Sequence, residues 1–289
     1  MTDLSCTSML CSSTESIHLI ASAAMGSVES SAQGINLAAP WLLPLTAGLV
    51  GSVMTSFAGV VADRMPRIRG WSQPAEKGIS LSHPPSHCDS CGHKLSPIDL
   101  IPVIGWLIRG GHCAHCGTNI PVTYPIMEAA GFIFSLLVVL ILGATWAALA
   151  TCICLWILII VSWLDWEAHE IPDIFTVPLG SLGLLASPFE ADPWTRIMGS
   201  VIAALFLWLA FSLTGKAKKI DTMSYGDIAL AAALGGWLGL CGTIPFLIAA
   251  PVVYLLYAIP MRMKGVEWSP MGPALSIAFL GIAILGIRL

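Results

Sequence analysis

Long apolar runs separated by short polar segments make up most of this chain. Eight of the runs predict helices that span a bilayer, because about 20 helical residues cross a hydrocarbon core of about 30 Å. The predicted spans cover residues 41–61, 125–142, 144–164, 174–188, 197–213, 228–240, 244–259 and 271–287. The pattern therefore predicts an all-α polytopic membrane protein with about eight transmembrane helices. A soluble bundle of long buried helices is the alternative.

Composition favours the membrane protein. Of the 289 residues, 56% are hydrophobic and only 10% are charged, and the mean hydropathy is +0.82. Soluble domains carry about 25% charged residues. We therefore expect a lipid bilayer around this chain, and no nucleic-acid partner.

The basic residues predict the orientation, because Lys and Arg accumulate in cytoplasmic loops. With the N-terminus outside, eleven of the 13 Lys and Arg residues lie on the cytoplasmic side. Only Arg196 and Arg288 then lie outside. This orientation places Asp165, at the end of the third span, and Asp227, at the start of the sixth, at the cytoplasmic boundary.

Residues 1–40 are rich in Ser and small residues and contain no Lys or Arg. A secretory signal would normally begin with a basic region, so this segment does not resemble one. We expect a poorly ordered extracytoplasmic tail, with Cys6 and Cys11 either free or paired in that oxidising space.

The loop of residues 63–124 is predicted to form a small cytoplasmic domain around two CxxC pairs. Cys88 and Cys91 are separated by 21 residues from Cys113 and Cys116. Four thiolates at this spacing suit a closed, structural Zn²⁺ site. Two disulfides are the alternative, which a reducing cytoplasm disfavours.

Asp165 and Asp227 supply the candidate chemistry, since both are predicted at the same depth of the bundle. Two carboxyl groups about 3 Å apart share a proton, so one acts as base on a water while the other donates to the scissile carbonyl, as in an aspartic protease. Ion pairs with nearby basic residues, or simple solvation at the interface, are the alternatives.

Asp173 follows Pro172 and is predicted to begin a helix. Glu128 is either a functional intramembrane acid or a side chain that extends to the surface.

Six segments follow one another in order: TSFAGVVADRMP, DLIPVIGWL, YPIMEAAG, LDWEAHEIPD, SYGD and WSPMGPAL. From about Trp41 to the C-terminus, this set resembles the bacterial type IV prepilin peptidases, the leader peptidase/N-methyltransferase family of membrane aspartic proteases. Asp165 matches the first active-site aspartate of that family, and Asp227 matches the aspartate of its GxGD motif. The chain departs from the family pattern at Thr55 and Ser224, which replace glycines, and at Gly59, where asparagine is usual.

The resemblance implies an enzyme that removes the basic leader of type IV prepilins or pseudopilins at the cytoplasmic membrane face. It also implies methylation of the new N-terminal amine with S-adenosyl-L-methionine, since bifunctional members carry the four-cysteine loop. A peptidase without methyltransferase activity is the alternative within the family. Two further classes are a transporter with interfacial acids and a zinc-dependent membrane assembly factor.

The predicted organisation therefore has four parts. Residues 1–40 form the tail, residues 41–62 the first transmembrane helix, residues 63–124 the zinc domain, and residues 125–289 the transmembrane aspartic peptidase core.

Overall fold

The computed structural model describes residue 30 and residues 39–71, 74–219, 223–266 and 268–286. These residues form eight helices: α1 (Leu42–Arg69), α2 (Ile104–Ile108), α3 (Thr123–Leu142), α4 (Trp146–Ala168), α5 (Asp173–Ala186), α6 (Pro193–Lys218), α7 (Tyr225–Met263) and α8 (Gly272–Gly286). Most of the predicted N-terminal tail, including Cys6 and Cys11, lies outside the described residues.

Five helices, α1, α3, α4, α6 and α7, are long and apolar enough, by length and composition, to cross a membrane. Helices α5 and α8 are apolar but shorter, with 14 and 15 residues. Each of the eight predicted spans coincides with a helical segment. The all-helical, multi-pass fold is therefore confirmed for the part of the chain that the structure describes.

Helix α7, of 39 residues, contains two of the predicted spans as two helical segments that meet at a kink. The chain bends at Gly239, whose φ of 66° is accessible to glycine without strain. Near the bend, the hydroxyl of Thr243 donates to the carbonyl of Gly239 at 2.7 Å. This contact satisfies a backbone group, as a helix inside a bilayer requires. Helix α1 also extends past its predicted end, and it stops at Gly70 in a left-handed conformation.

Helix α4 occupies the centre of the bundle, with α1 on one side and α8 on the other, while α5, α6 and α8 pack around α7. Helices α6 and α7 approach closely at two glycines, since a Cβ on Gly199 would lie 2.5 Å from the carbonyl oxygen of Gly235. The indole of Trp237, fully buried on α7, donates to the carbonyl of Leu179 on α5 at 2.8 Å. These contacts fix the first half of α7 against α5 and α6.

Candidate active site

Asp165 lies in the last turn of α4 and is 5% exposed. Its Oδ2 atom accepts a hydrogen bond of 2.6 Å from the backbone N–H of Gly272, the first residue of α8. The N-terminus of a helix carries partial positive charge and unpaired N–H groups. Asp165 therefore occupies a position that stabilises a carboxylate.

Gly272 has no room for a side chain, because a Cβ there would lie 2.8 Å from Oδ2 of Asp165. One turn further into both helices, the hydroxyl of Ser162 donates to that of Ser276 at 2.9 Å. The serine pair fixes α4 against α8 in the register that the Gly272 contact needs. Sequence reasoning assigned no role to Gly272, and the segment MGPAL, which contains it, was the only signal that pointed there.

Asp227 lies in the first turn of α7 and is 8% exposed. Its backbone N–H donates to the hydroxyl of Ser224, the N-cap residue, at 3.4 Å. Serine is a preferred N-cap, which accounts for its presence where the GxGD motif has glycine. The preceding Gly226 packs against Ile171, where an added Cβ would lie 2.8 Å from the Ile171 Cβ. The loop before α5 thus holds the start of α7 in place.

The Oδ1 atom of Asp227 is buried and has no hydrogen-bond partner among the described residues. Such a group is costly to bury unless something pairs with it. The carboxyl groups of Asp227 and Asp165 are close enough for their charges to interact. The structure therefore brings the two predicted aspartates to one buried site, with an unpaired acid oxygen inside it.

Aromatic side chains border this site. The ring of Trp166, next to Asp165, lies 6.1 Å from that of Tyr257, and Tyr257 lies 5.7 Å from Tyr254. The hydroxyl of Tyr257 donates to the carbonyl of Pro270, in the segment that leads into α8. These contacts fix the segment before Gly272 against α7.

Asp173 and Glu128 are placed elsewhere. Asp173 is exposed and is the first residue of α5, as predicted, while Pro172 precedes the helix in an extended conformation. Glu128 is 9% exposed, and its Oε2 atom accepts a 2.6 Å hydrogen bond from the N–H of Val103. Val103 has a φ of 62°, which is strained for a β-branched residue. Glu128 thus holds the start of α2, in the cysteine loop, against α3.

The four predicted metal ligands converge. The sulfurs of Cys88 and Cys116 are 3.8 Å apart, those of Cys91 and Cys113 are 4.0 Å apart, and all four ligand atoms lie within 4.8 Å of one another. Sulfurs about 2.3 Å from a tetrahedral zinc ion are about 3.8 Å apart, whereas a disulfide bond measures about 2.05 Å. The residues therefore fit a closed zinc site, and the four thiols are not paired as disulfides.

The carboxylate of Asp99 stabilises the loop between the cysteine pairs through hydrogen bonds. Asp99 accepts a 2.6 Å hydrogen bond from Nε of Arg109, and it also accepts from the N–H and hydroxyl of Ser96. Arg109 and Ser96 lower the pKa of Asp99 to about 2. Asp99 therefore stays charged near neutral pH and keeps the loop closed around α2.

Two family models match the chain. The one described as the bacterial peptidase A24 N-terminal domain matches residues 49–142, and the one described as the type IV leader peptidase family matches residues 152–259. The first range contains the four cysteines, and the second contains Asp165 and Asp227.

Relatives from several bacteria are similar to this chain over most of their length. A prepilin leader peptidase/N-methyltransferase of Pseudomonas aeruginosa is 32% identical over 80% of this chain and 86% of its own. A protein of the same name from Neisseria gonorrhoeae is 30% identical over 84% and 91%. A type 4 prepilin-like proteins leader peptide-processing enzyme of Escherichia coli is 30% identical over 86% and 96%. No solved structure matches the chain significantly.

Proposed function

The chain belongs to the type IV leader peptidase family, and we propose that it cleaves the leader from type IV prepilins or pseudopilins with Asp165 and Asp227 as its catalytic pair. The observation that carries this proposal is the placement of two buried aspartates at the ends of α4 and α7, close enough for the charge of Asp165 to act on Asp227. The names of its relatives support prepilins as the substrate class.

The two carboxyl groups have different surroundings, and the difference suggests their roles. The Gly272 N–H and the start of α8 favour a negative charge on Asp165, which suits a general base. Asp227 has a buried Oδ1 without a partner among the described residues, and this oxygen can carry the proton that a general acid donates. In the proposed mechanism Asp165 is the ionised member of the pair and Asp227 the protonated one, as an aspartic protease needs.

The proposed reaction adds water across the scissile amide bond. Asp165 removes a proton from a water, whose oxygen attacks the carbonyl carbon while Asp227 protonates the carbonyl oxygen. The tetrahedral intermediate collapses when its C–N bond breaks and the leaving nitrogen takes the proton held by Asp165. A proton from the intermediate returns to Asp227, so both groups regain their starting states.

We place the site at the cytoplasmic face of the inner membrane. Eleven of the 13 basic residues lie on that side in the proposed orientation, and Trp166 and Tyr225, both next to the pair, are 48% and 76% exposed. Exposed Trp and Tyr are typical of membrane interfaces. A transporter would instead carry its acids near the bilayer midplane. A prepilin presents its basic leader and apolar helix on either side of this boundary.

We also propose that the enzyme methylates the new N-terminus. When bound, S-adenosylmethionine supplies a methyl group that passes from its sulfonium sulfur to the amine, which loses a proton while the sulfur becomes a neutral thioether. The zinc-bound cysteine loop has a structural role, because four protein ligands leave no open position on the metal.

Incubation of the purified enzyme with a prepilin tests the proposal. Mass spectrometry should find the mature pilin and the free leader, and the mature chain should carry one additional methyl group when S-adenosylmethionine is present. Intact prepilin after incubation with folded enzyme would contradict the peptidase assignment. Cleaved but unmodified pilin would contradict the methyltransferase assignment alone.

A further inference from the structure

We propose that a cavity of about 340 Å³ between the cysteine loop, the end of α1 and the start of α3 binds S-adenosylmethionine. This inference rests on the proposed methyltransferase function and names the site for its cofactor. We call this space the loop cavity. Its lining extends from Ser56 to Glu128 along the chain and includes neither Asp165 nor Asp227.

The location of the loop cavity supports a role separate from cleavage. All of its lining residues fall within residues 49–142, the range that matches the N-terminal family domain. The aspartate pair lies in the other matched range. An enzyme with two activities needs a second binding site, and the loop cavity has the size of a small-molecule site.

The charge of the loop cavity fits this ligand. S-adenosylmethionine carries a sulfonium, an ammonium and one carboxylate, so its net charge is positive. The lining contributes four carboxylates and three guanidinium groups: Asp63, Asp89, Asp99 and Glu128, with Arg64, Arg67 and Arg109. The lining is thus acidic by one charge, without counting its histidines and cysteines.

Asp63, on α1, is a lining carboxylate that is available to the ligand. Asp99 is paired with Arg109 at 2.6 Å, whereas Asp63 makes only a 3.4 Å contact with Arg67. Arg67 in turn holds Glu76 at 2.8 Å. Asp63 can therefore turn towards a cation without breaking a strong ion pair.

The phenol ring of Tyr124 offers a stacking surface for the adenine. Gly59 lies against this ring, and a Cβ on Gly59 would be 3.1 Å from it. The absence of a side chain at Gly59, where the family usually has asparagine, thus lets α1 pack directly against the Tyr124 ring. Tyr124 is 38% exposed, so part of the residue remains accessible to a ligand.

The loop cavity and the aspartate pair lie on two sides of one helix end. The ring of Tyr124 is 5.7 Å from that of Trp163, and Trp163 precedes Asp165 by two residues on α4. The end of α4 therefore separates the two sites. A new N-terminus released beside Asp165 would have to pass only this helix end to reach the methyl donor.

Binding to the full-length enzyme, measured by calorimetry without any pilin, tests the site. Tyr124→Ala should weaken both S-adenosylmethionine and S-adenosylhomocysteine about tenfold, as loss of a base–aromatic stack predicts, and Tyr124→Phe should restore binding. Asp63→Asn should weaken S-adenosylmethionine more than S-adenosylhomocysteine, because the latter has a neutral sulfur. Glu190→Gln, outside the loop cavity, is the matched control.

The outcomes separate this inference from the proposed function on which it rests. Unchanged affinity in Tyr124→Ala and Asp63→Asn would overturn the site but leave methylation standing, if the wild-type enzyme binds the cofactor and methylates pilin. Absence of binding to the wild-type enzyme would overturn both the site and the methyltransferase assignment, without affecting the peptidase. Unchanged cofactor affinity together with a raised KM for prepilin would overturn the site in favour of docking of the basic leader.

Discussion

Replacement of Gly272 by alanine is expected to slow leader cleavage, although Gly272 contributes no side chain to the site. A Cβ at this position would lie 2.8 Å from Oδ2 of Asp165, 3.2 Å from its Cβ and 3.3 Å from its Cγ. Either the start of α8 or the aspartate must move to relieve this contact. The 2.6 Å hydrogen bond from the Gly272 N–H is then lengthened or lost.

The size of the effect follows from the value of that hydrogen bond. A hydrogen bond to a charged group contributes about 1.5–3 kcal/mol. If the bond supports Asp165 as the base, its loss raises the activation free energy by that amount. Each 1.36 kcal/mol is a factor of about ten in rate, so kcat should fall about 10- to 150-fold. The KM for prepilin should change little, because Gly272 holds the aspartate and not the substrate.

Cleavage kinetics of the purified variant with a prepilin substrate provide the assay. Gly281→Ala is the matched control, since Gly281 lies in the same helix and an added Cβ would meet no atom within 4 Å. Gly281→Ala should cleave at the wild-type rate. A Gly272→Ala enzyme with wild-type kcat would refute the role of the Gly272 N–H. An equal loss in both variants would show that the effect comes from α8 packing in general.

Three other changes should give distinct results. Removal of zinc by a chelator should lower the melting temperature of the cysteine loop while cleavage of prepilin is largely retained, because thiolate-bound zinc supplies folding free energy on the order of 10 kcal/mol. Elemental analysis that finds no metal in active protein would contradict the site. Glu128→Ala should increase hydrogen exchange at the Val103 N–H, whereas Glu128→Gln keeps an acceptor and should protect it; equal exchange in both would count against the contact. Asp173→Asn should alter stability by about 1 kcal/mol or less and leave cleavage measurable, and complete inactivity would require a third essential acid.

The aspartate pair could be predicted from the sequence because its signals are local. Each aspartate stands at the end of an apolar run, where a charged residue is unusual, and the distribution of basic residues assigns both to one side of the membrane. The four cysteines were equally accessible to prediction, since their spacing alone indicates a zinc site. Within the described part of the chain, the structure adds that the four cysteines converge and that Asp165 is close enough for its charge to act on Asp227.

The contacts that support these residues could not be predicted. The hydrogen bond from Gly272 to Asp165 joins residues 107 positions apart. Its donor is a backbone N–H, which nearly every residue has, so the residue type does not reveal the contact. The bond between Glu128 and the Val103 N–H depends on how the cysteine loop folds against α3, which hydropathy does not report.

Cleavage of a prepilin by the Asp165→Asn, Asp227→Asn and doubly substituted enzymes tests the catalytic pair most directly. Asparagine keeps the volume of aspartate but neither accepts nor donates the catalytic proton, so each single variant should lose nearly all turnover while still inserting into the membrane and binding substrate. The double variant should be no worse than either single one, because both residues serve one reaction step. Cleavage at near the wild-type rate by either single variant would contradict the assignment and leave the two aspartates as solvated residues of the membrane interface.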